Sequence, residues 1–181
     1  KLVGTIEEVG KMTVGLALDS ARNQLFAANL NSKDIAVIDL ATKTVTSRIP
    51  VEGDRPTQLA YDATGRRLFV TNQRTGDVSV IDVAAGKQIK AIPTGAGALG
   101  IGYSAARDRV YVANRQAGTV TIIDGKTLAV IEDVEAGSLP NTVAIDSKTN
   151  RVYVTNKAKG GPRDAAPVED AGGDTVTMIA Q

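Results

Sequence analysis

Arg67-Leu68-Phe69-Val70-Thr71-Asn72 is a short apolar run closed by an asparagine, and the same ending returns as Ala28-Asn29, Ala113-Asn114 and Thr155-Asn156. The four asparagines lie 43, 42 and 42 residues apart. Gly10, Gly53, Gly95 and Gly137, each standing just before a new apolar run, keep the same intervals of 43, 42 and 42. A repeat of about 40 to 45 residues made of short strands is the signature of a β-propeller blade. The predicted fold class is therefore all-β, a β-propeller of four-stranded antiparallel blades.

Four strands, a to d, recur in each period, clearest at residues 58–61, 67–71, 77–81 and 88–92. Asp19, Asp62, Ser104 and Asp146 begin the a to b turns, and Asp39, Asp82 and Asp124 follow strand c; each can accept from backbone N–H groups two residues on. Strand b reads Leu68-Phe69-Val70, Val110-Tyr111-Val112 and Val152-Tyr153-Val154. Both of its faces are apolar, so each sheet needs a neighbour on each side. Strand d is interrupted by Arg48, Lys87, Lys90, Glu132 and Asp133, which suits an exposed edge. The expected order from axis to rim is a, b, c, d.

Residues 3–9 read as a lone outer strand, and the full tally predicts sixteen strands, or four blades' worth, with blades near 11–53, 54–95, 96–137 and 138–181. The first strand either completes the last sheet or belongs to a blade outside this chain. Residues 157–174, with four Gly and two Pro, form an insertion between strands b and c that is expected to be an exposed, mobile loop.

The totals narrow function. The 43% apolar and 23% charged fractions suit a globular chain, and a net charge of +1 makes no long-range field for polyanions. With no Cys and no His, thiolate and imidazole ligands, disulfides and His-assisted nucleophiles are excluded. No apolar run is long enough for a membrane-crossing helix, so no membrane insertion is expected. The chain starts at Lys1 without a leader and is read as part of something longer.

Phe69-Val70-Thr71-Asn72, Tyr111-Val112-Ala113-Asn114 and Tyr153-Val154-Thr155-Asn156 resemble the motif of the YVTN-repeat β-propeller family. Gly10-Lys11-Met12 leading into Gly15-Leu16-Ala17-Leu18-Asp19, together with Arg115-Gln116-Ala117-Gly118, is most similar to its periplasmic YncE-like branch. The resemblance implies a segment of a seven-bladed ring, a periplasmic or extracytoplasmic location, and an association with single-stranded DNA.

In propellers the d to a and b to c loops share one face. Here it receives Lys11, Arg55, Arg74, Arg115, Lys157, Lys159 and Arg163 as candidate anion-binding residues, alongside Glu52, Asp54, Asp77, Glu135, Asp164, Glu169 and Asp170. The mixture also fits an ordinary solvated surface. Phe26, Phe69, Tyr111 and Tyr153 are expected in the core, and Tyr61 and Tyr103 lie at the opposite end of strand a. The repeating asparagines read as turn-formers that tolerate positive φ, rather than as a ring of ligands. The acids Asp164, Glu169, Asp170 and Asp174 lack calcium-loop spacing, and Gly95-Ala96-Gly97-Ala98 reads as a d to a loop; no metal, catalytic residue or cofactor is expected. The leading expectation is a non-enzymatic binding or scaffold propeller presenting this face to a protein or an anionic ligand. The alternatives are single-stranded DNA binding and a lactonase-type hydrolase whose centre lies in missing blades.

Overall fold

The computed structural model describes residues 1–160 and 169–180 and forms fifteen strands among them. The first sheet holds β1 (Thr13–Asp19), β2 (Gln24–Asn29), β3 (Asp34–Asp39) and β4 (Thr44–Pro50). The second holds β5 (Pro56–Asp62), β6 (Arg67–Asn72), β7 (Asp77–Asp82) and β8 (Lys87–Pro93). The third holds β9 (Ala98–Ser104), β10 (Arg109–Asn114), β11 (Thr119–Asp124) and β12 (Ala129–Glu135), and the fourth β13 (Pro140–Ile145), β14 (Val152–Asn156) and β15 (Thr175–Ile179). All neighbours pair antiparallel in chain order, and β1, β5, β9 and β13 pack side by side along the axis.

The two-faced strand b explains why the sheets stack. Leu68 and Val70 pack toward the first sheet with Phe26, Val37 and Ile49, whereas Phe69 between them packs toward the third with Val110 and Val112. Tyr111, Val120 and Ile122 continue the pattern against Val152, Val154 and Ile179 of the fourth. Each such side chain, fully buried, contributes roughly 1.5–3 kcal/mol relative to exposure. The arc is not closed. Leu16 and Leu18 remain 58% and 55% exposed on the first sheet, and Val176 and Met178 remain 56% and 69% exposed on the last.

The expected outer strand at residues 3–9 is not formed, and residues 1–10 contain no strand. Side chains rather than a ladder hold this segment. Ile6 and Val9 pack on Ala27, Ala36 and Ile38; Asn29 Nδ2 (2.9 Å) and Arg48 Nη1 (2.7 Å) donate to the Val9 carbonyl, and Arg48 Nη2 donates to that of Glu8. With no strand edge beside it, the segment crosses the open face of the first sheet.

The asparagines also differ from expectation. All four lie within strand b, none has positive φ, and they are buried. Asn72 Nδ2 donates to Asp77 Oδ1 (2.6 Å) and Ser79 Oγ (2.8 Å), and Asn114 Nδ2 donates to Thr119 Oγ1 (3.1 Å) and Thr121 Oγ1 (2.7 Å), so each amide ties strand b to strand c. The repeating glycine covers it. A Cβ at Gly53 would stand 2.1 Å from Asn72 Cγ, and one at Gly10 2.2 Å from Asn29 Cγ. The two sequence markers are one contact.

The turn aspartates act as expected: Asp62 Oδ1 accepts from the backbone N–H of Thr64 (3.0 Å) and Gly65 (2.9 Å), and Asp124 Oδ1 from Lys126 (3.0 Å) and Thr127 (2.7 Å). Asp19 also latches two blades, because Tyr61 Oη donates to its Oδ2 at 2.6 Å while the Tyr61 ring lies 5.2 Å from that of Phe26. Burial would raise the Asp19 carboxyl, but hydrogen bonds from Tyr61 and Arg22 outweigh it and hold the group below the usual range. Burial, then the Asp19 contact, pushes the Tyr61 phenol up to about 12.

Gly53→Ala should cost about 1–3 kcal/mol, as overpacking of a filled site does; an unchanged urea midpoint would refute the close glycine–asparagine contact. The latch predicts a two-sided pH profile. The Asp19 contribution is complete above the ordinary aspartate value and is lost as pH falls through its lower folded-state value. The Tyr61 contribution is complete below pH 10.0 and is lost as pH rises toward about 12. Thermal melts of Tyr61→Phe should show a shallower alkaline decline; an identical decline refutes the latch.

Candidate functional site

The d to a and b to c loops are joined by their own backbones. Leu30 donates its N–H to Met12 O (3.0 Å), Gln73 to Arg55 O (3.0 Å), Arg115 to Gly97 O (2.9 Å) and Lys157 to Leu139 O (3.4 Å). The accepting residue has positive φ in every blade: 59° at Met12, 62° at Arg55, 76° at Gly97 and 44° at Leu139. A frame set by the backbone leaves the side chains at these positions free to differ, which is how loops on a rigid scaffold carry recognition.

Of the sequence candidates, the structure brings Arg55 and Arg74 together. Both line a cavity of about 280 Å³ between the first two blades, with Met12, Leu30, Lys33 and Asp54. Asp54 is its one acid, with Oδ1 2.9 Å from Lys33 Nζ and Oδ2 3.3 Å from Arg74 Nη1. The hydrogen bond from Lys33, reinforced by Arg74 against a smaller burial effect, holds the Asp54 carboxyl below its usual value. A second cavity of about 310 Å³ is lined by Arg55, Gln73, Arg74 and Gln116. Arg115 and Gln116 border a third, of about 250 Å³, with Ser138, Leu139 and Lys159.

The other candidates are placed differently. Arg115 Nη1 donates to Asn141 Oδ1 (2.6 Å), which ties the third blade to the fourth. Lys11 and Lys157 are exposed and border none of these cavities. Arg163 and Asp164 lie outside the described residues. Asp170 organises the flanks of the insertion, its Oδ1 accepting from Ser138 Oγ (2.5 Å) and its Oδ2 from Lys159 N–H (2.9 Å). Those hydrogen bonds, Ser138 first, hold its carboxyl below the usual range. Among the described residues no three acids gather as a metal site.

Sequence reading missed Lys33, Gln73 and Gln116. Gln73 and Gln116 follow the strand-b asparagine by one and two residues, and Lys33 by four. Gln73 and Gln116 are neutral and carry no signal beyond those offsets, whereas Lys33 carries its charge in a b to c loop, as Arg74 and Arg115 do.

A family model described as a YNCE-like beta-propeller matches residues 3–163. Among solved structures, Kuenenia stuttgartiensis hydrazine synthase is 22% identical with a TM-score of 0.79, over 89% of this chain and 47% of that one. A functionally unknown protein from Desulfotomaculum acetoxidans DSM 771 is 13% identical with a TM-score of 0.71, over 80% and 49%. The RRP9 WD40 repeats are 10% identical with a TM-score of 0.71, over 81% and 46%. These likenesses concern fold, and the chain spans about half the length of each structure. No curated protein matches it.

Asp54 should titrate below 3.8 in an NMR pH series. Replacing its nearer cationic partner in Lys33→Met should move the midpoint up; an unmoved midpoint would contradict the charge arrangement.

Proposed function

Because the chain belongs to the YNCE-like beta-propeller family, we propose that it is a binding module that presents its d to a and b to c loop face to an anionic partner, either an acidic protein surface or an anionic ligand. The observation that carries this reading is the grouping of Lys33, Arg55 and Arg74 around adjoining cavities with Asp54 as the single acid there, an excess of positive charge that the near-neutral whole chain does not suggest. The backbone-bonded loops support it, since side chains on a rigid frame lose little freedom on binding.

The placement of the aromatic rings favours one kind of anionic partner. Single-stranded nucleic acid binding combines basic grooves with stacking platforms, and none of the six Phe and Tyr residues lies in these loops. Phe26, Phe69 and Tyr111 are buried, and the hydroxyls of Tyr61 and Tyr103 bond Asp19 and Asp108. An acidic polypeptide needs no stacking and suits this face better.

The test is binding of a polyglutamate peptide to the immobilised chain. Affinity should fall as added salt shortens screening from about 10 Å at 0.1 M to about 3 Å at 1 M. It should also fall in Arg74→Glu and stay unchanged in Lys148→Glu, on the opposite face. Equal loss in both variants, or no binding by the wild type, would overturn the reading.

A further inference from the structure

The cavity between the second and third blades is lined by polar side chains alone. Arg55, Gln73, Arg74 and Gln116 supply two guanidinium groups and two carboxamides, and no carboxylate. The first junction is different, because there Asp54 stands between Lys33 and Arg74. One blade on, the positions of Lys33 and Asp54 are taken by Gly76 and Ala96, so the neutralising acid does not recur.

Arg55 is the least satisfied of the four. Its Nε is shielded from solvent and meets no acceptor among the described residues, and no ion pair engages its guanidinium there. A shielded guanidinium donor without an acceptor is a costly arrangement that a ligand oxygen would relieve. The backbone around it is already organised: the N–H of Gln73 bonds Arg55 O (3.0 Å), that of Arg74 bonds Asp54 O (3.1 Å) and that of Gln116 bonds Ala96 O (3.0 Å). What the cavity offers a guest is therefore side-chain N–H groups in fixed surroundings.

We propose that this cavity is a binding site for a doubly charged oxyanion of the phosphate class, either free phosphate or a small phosphate monoester. Arg55 is its principal holder, Arg74 a second cation, and Gln73 and Gln116 are neutral donors. The planar fork of Arg55 presents paired N–H groups that match two phosphate oxygens. The local charge suits a dianion, since two guanidinium groups line the cavity and Asp54, which pairs with Arg74 from outside it, is itself offset by Lys33. A volume of about 310 Å³ leaves room beyond the oxyanion for a small ester group. The site rests on the proposed role of the loop face and names one ligand class for it.

The experiment is an NMR titration of the backbone amides, at constant ionic strength, with inorganic phosphate and in parallel with phenyl phosphate. The expected result is a saturable shift centred on Arg55, Gln73 and Gln116. Arg55→Gln should weaken binding at least tenfold and Arg55→Lys less, because Lys keeps the charge without the fork. If Arg55→Gln melts early, Gln116→Glu serves instead: it places an acid in the cavity and should abolish binding. Tighter binding of phenyl phosphate supports an ester as occupant, and equal binding supports free phosphate. No saturable shift with either probe, or an unchanged response in Arg55→Gln or Gln116→Glu, overturns the site. If polyglutamate binding still depends on Arg74 in that case, the broader reading stands without it.

Discussion

Everything in this arc depends on a buried carboxamide beneath a glycine. In each blade the strand-b asparagine donates to groups on strand c while the loop entering strand a crosses directly above it. Thr175 and Thr177 serve Asn156 at 2.9 Å each, just as Asp77 and Ser79 serve Asn72. The contact locks two of the four strands and one connection at a single point. It can repeat only if the covering residue has no side chain, which is why glycine keeps the same interval as asparagine.

That constraint also aims the loops. With the d to a connection held down and bonded to the b to c turn by the same backbone hydrogen bond in every blade, much of the difference from one junction to the next lies in the side chains. The first is cationic with a bridging acid, the second cationic with amides, and the third cationic with small and apolar neighbours. A fold that repeats its backbone while varying its surface concentrates charge locally without changing the net charge of the chain.

The opposite face shows the same economy applied to stability. Tyr61 reaches back to Asp19, and Arg67 joins Asp62 (2.6 Å) in its own blade to the Gly125 carbonyl (2.6 Å) in the next. Polar ties at the turns and apolar packing along strand b both cross from blade to blade, so no blade is complete by itself. The exposed apolar side chains on the two end sheets follow from this: the side chains that would be buried by a neighbour are the ones left uncovered.

The blade repeat, the antiparallel strand order, the burial of both faces of strand b and the turn aspartates were legible in the residues, because period, apolar pattern and turn chemistry are local properties of a chain. The site was legible only in part. Arg55 and Arg74 stood out by charge, but nothing in their spacing said that they share a cavity with Gln73 and Gln116, or that Arg115 is engaged by Asn141. The positive-φ positions were hidden too, since Met12, Arg55 and Leu139 occupy a conformation that side-chain type does not advertise. Residues 3–9 carry a strand pattern and yet form none, because a strand exists only beside a partner. The amino-acid order alone determined which segments repeat and which faces shun water; only the folded arc decided which distant loops meet, because that depends on how neighbouring sheets stack, and no short window of sequence contains it.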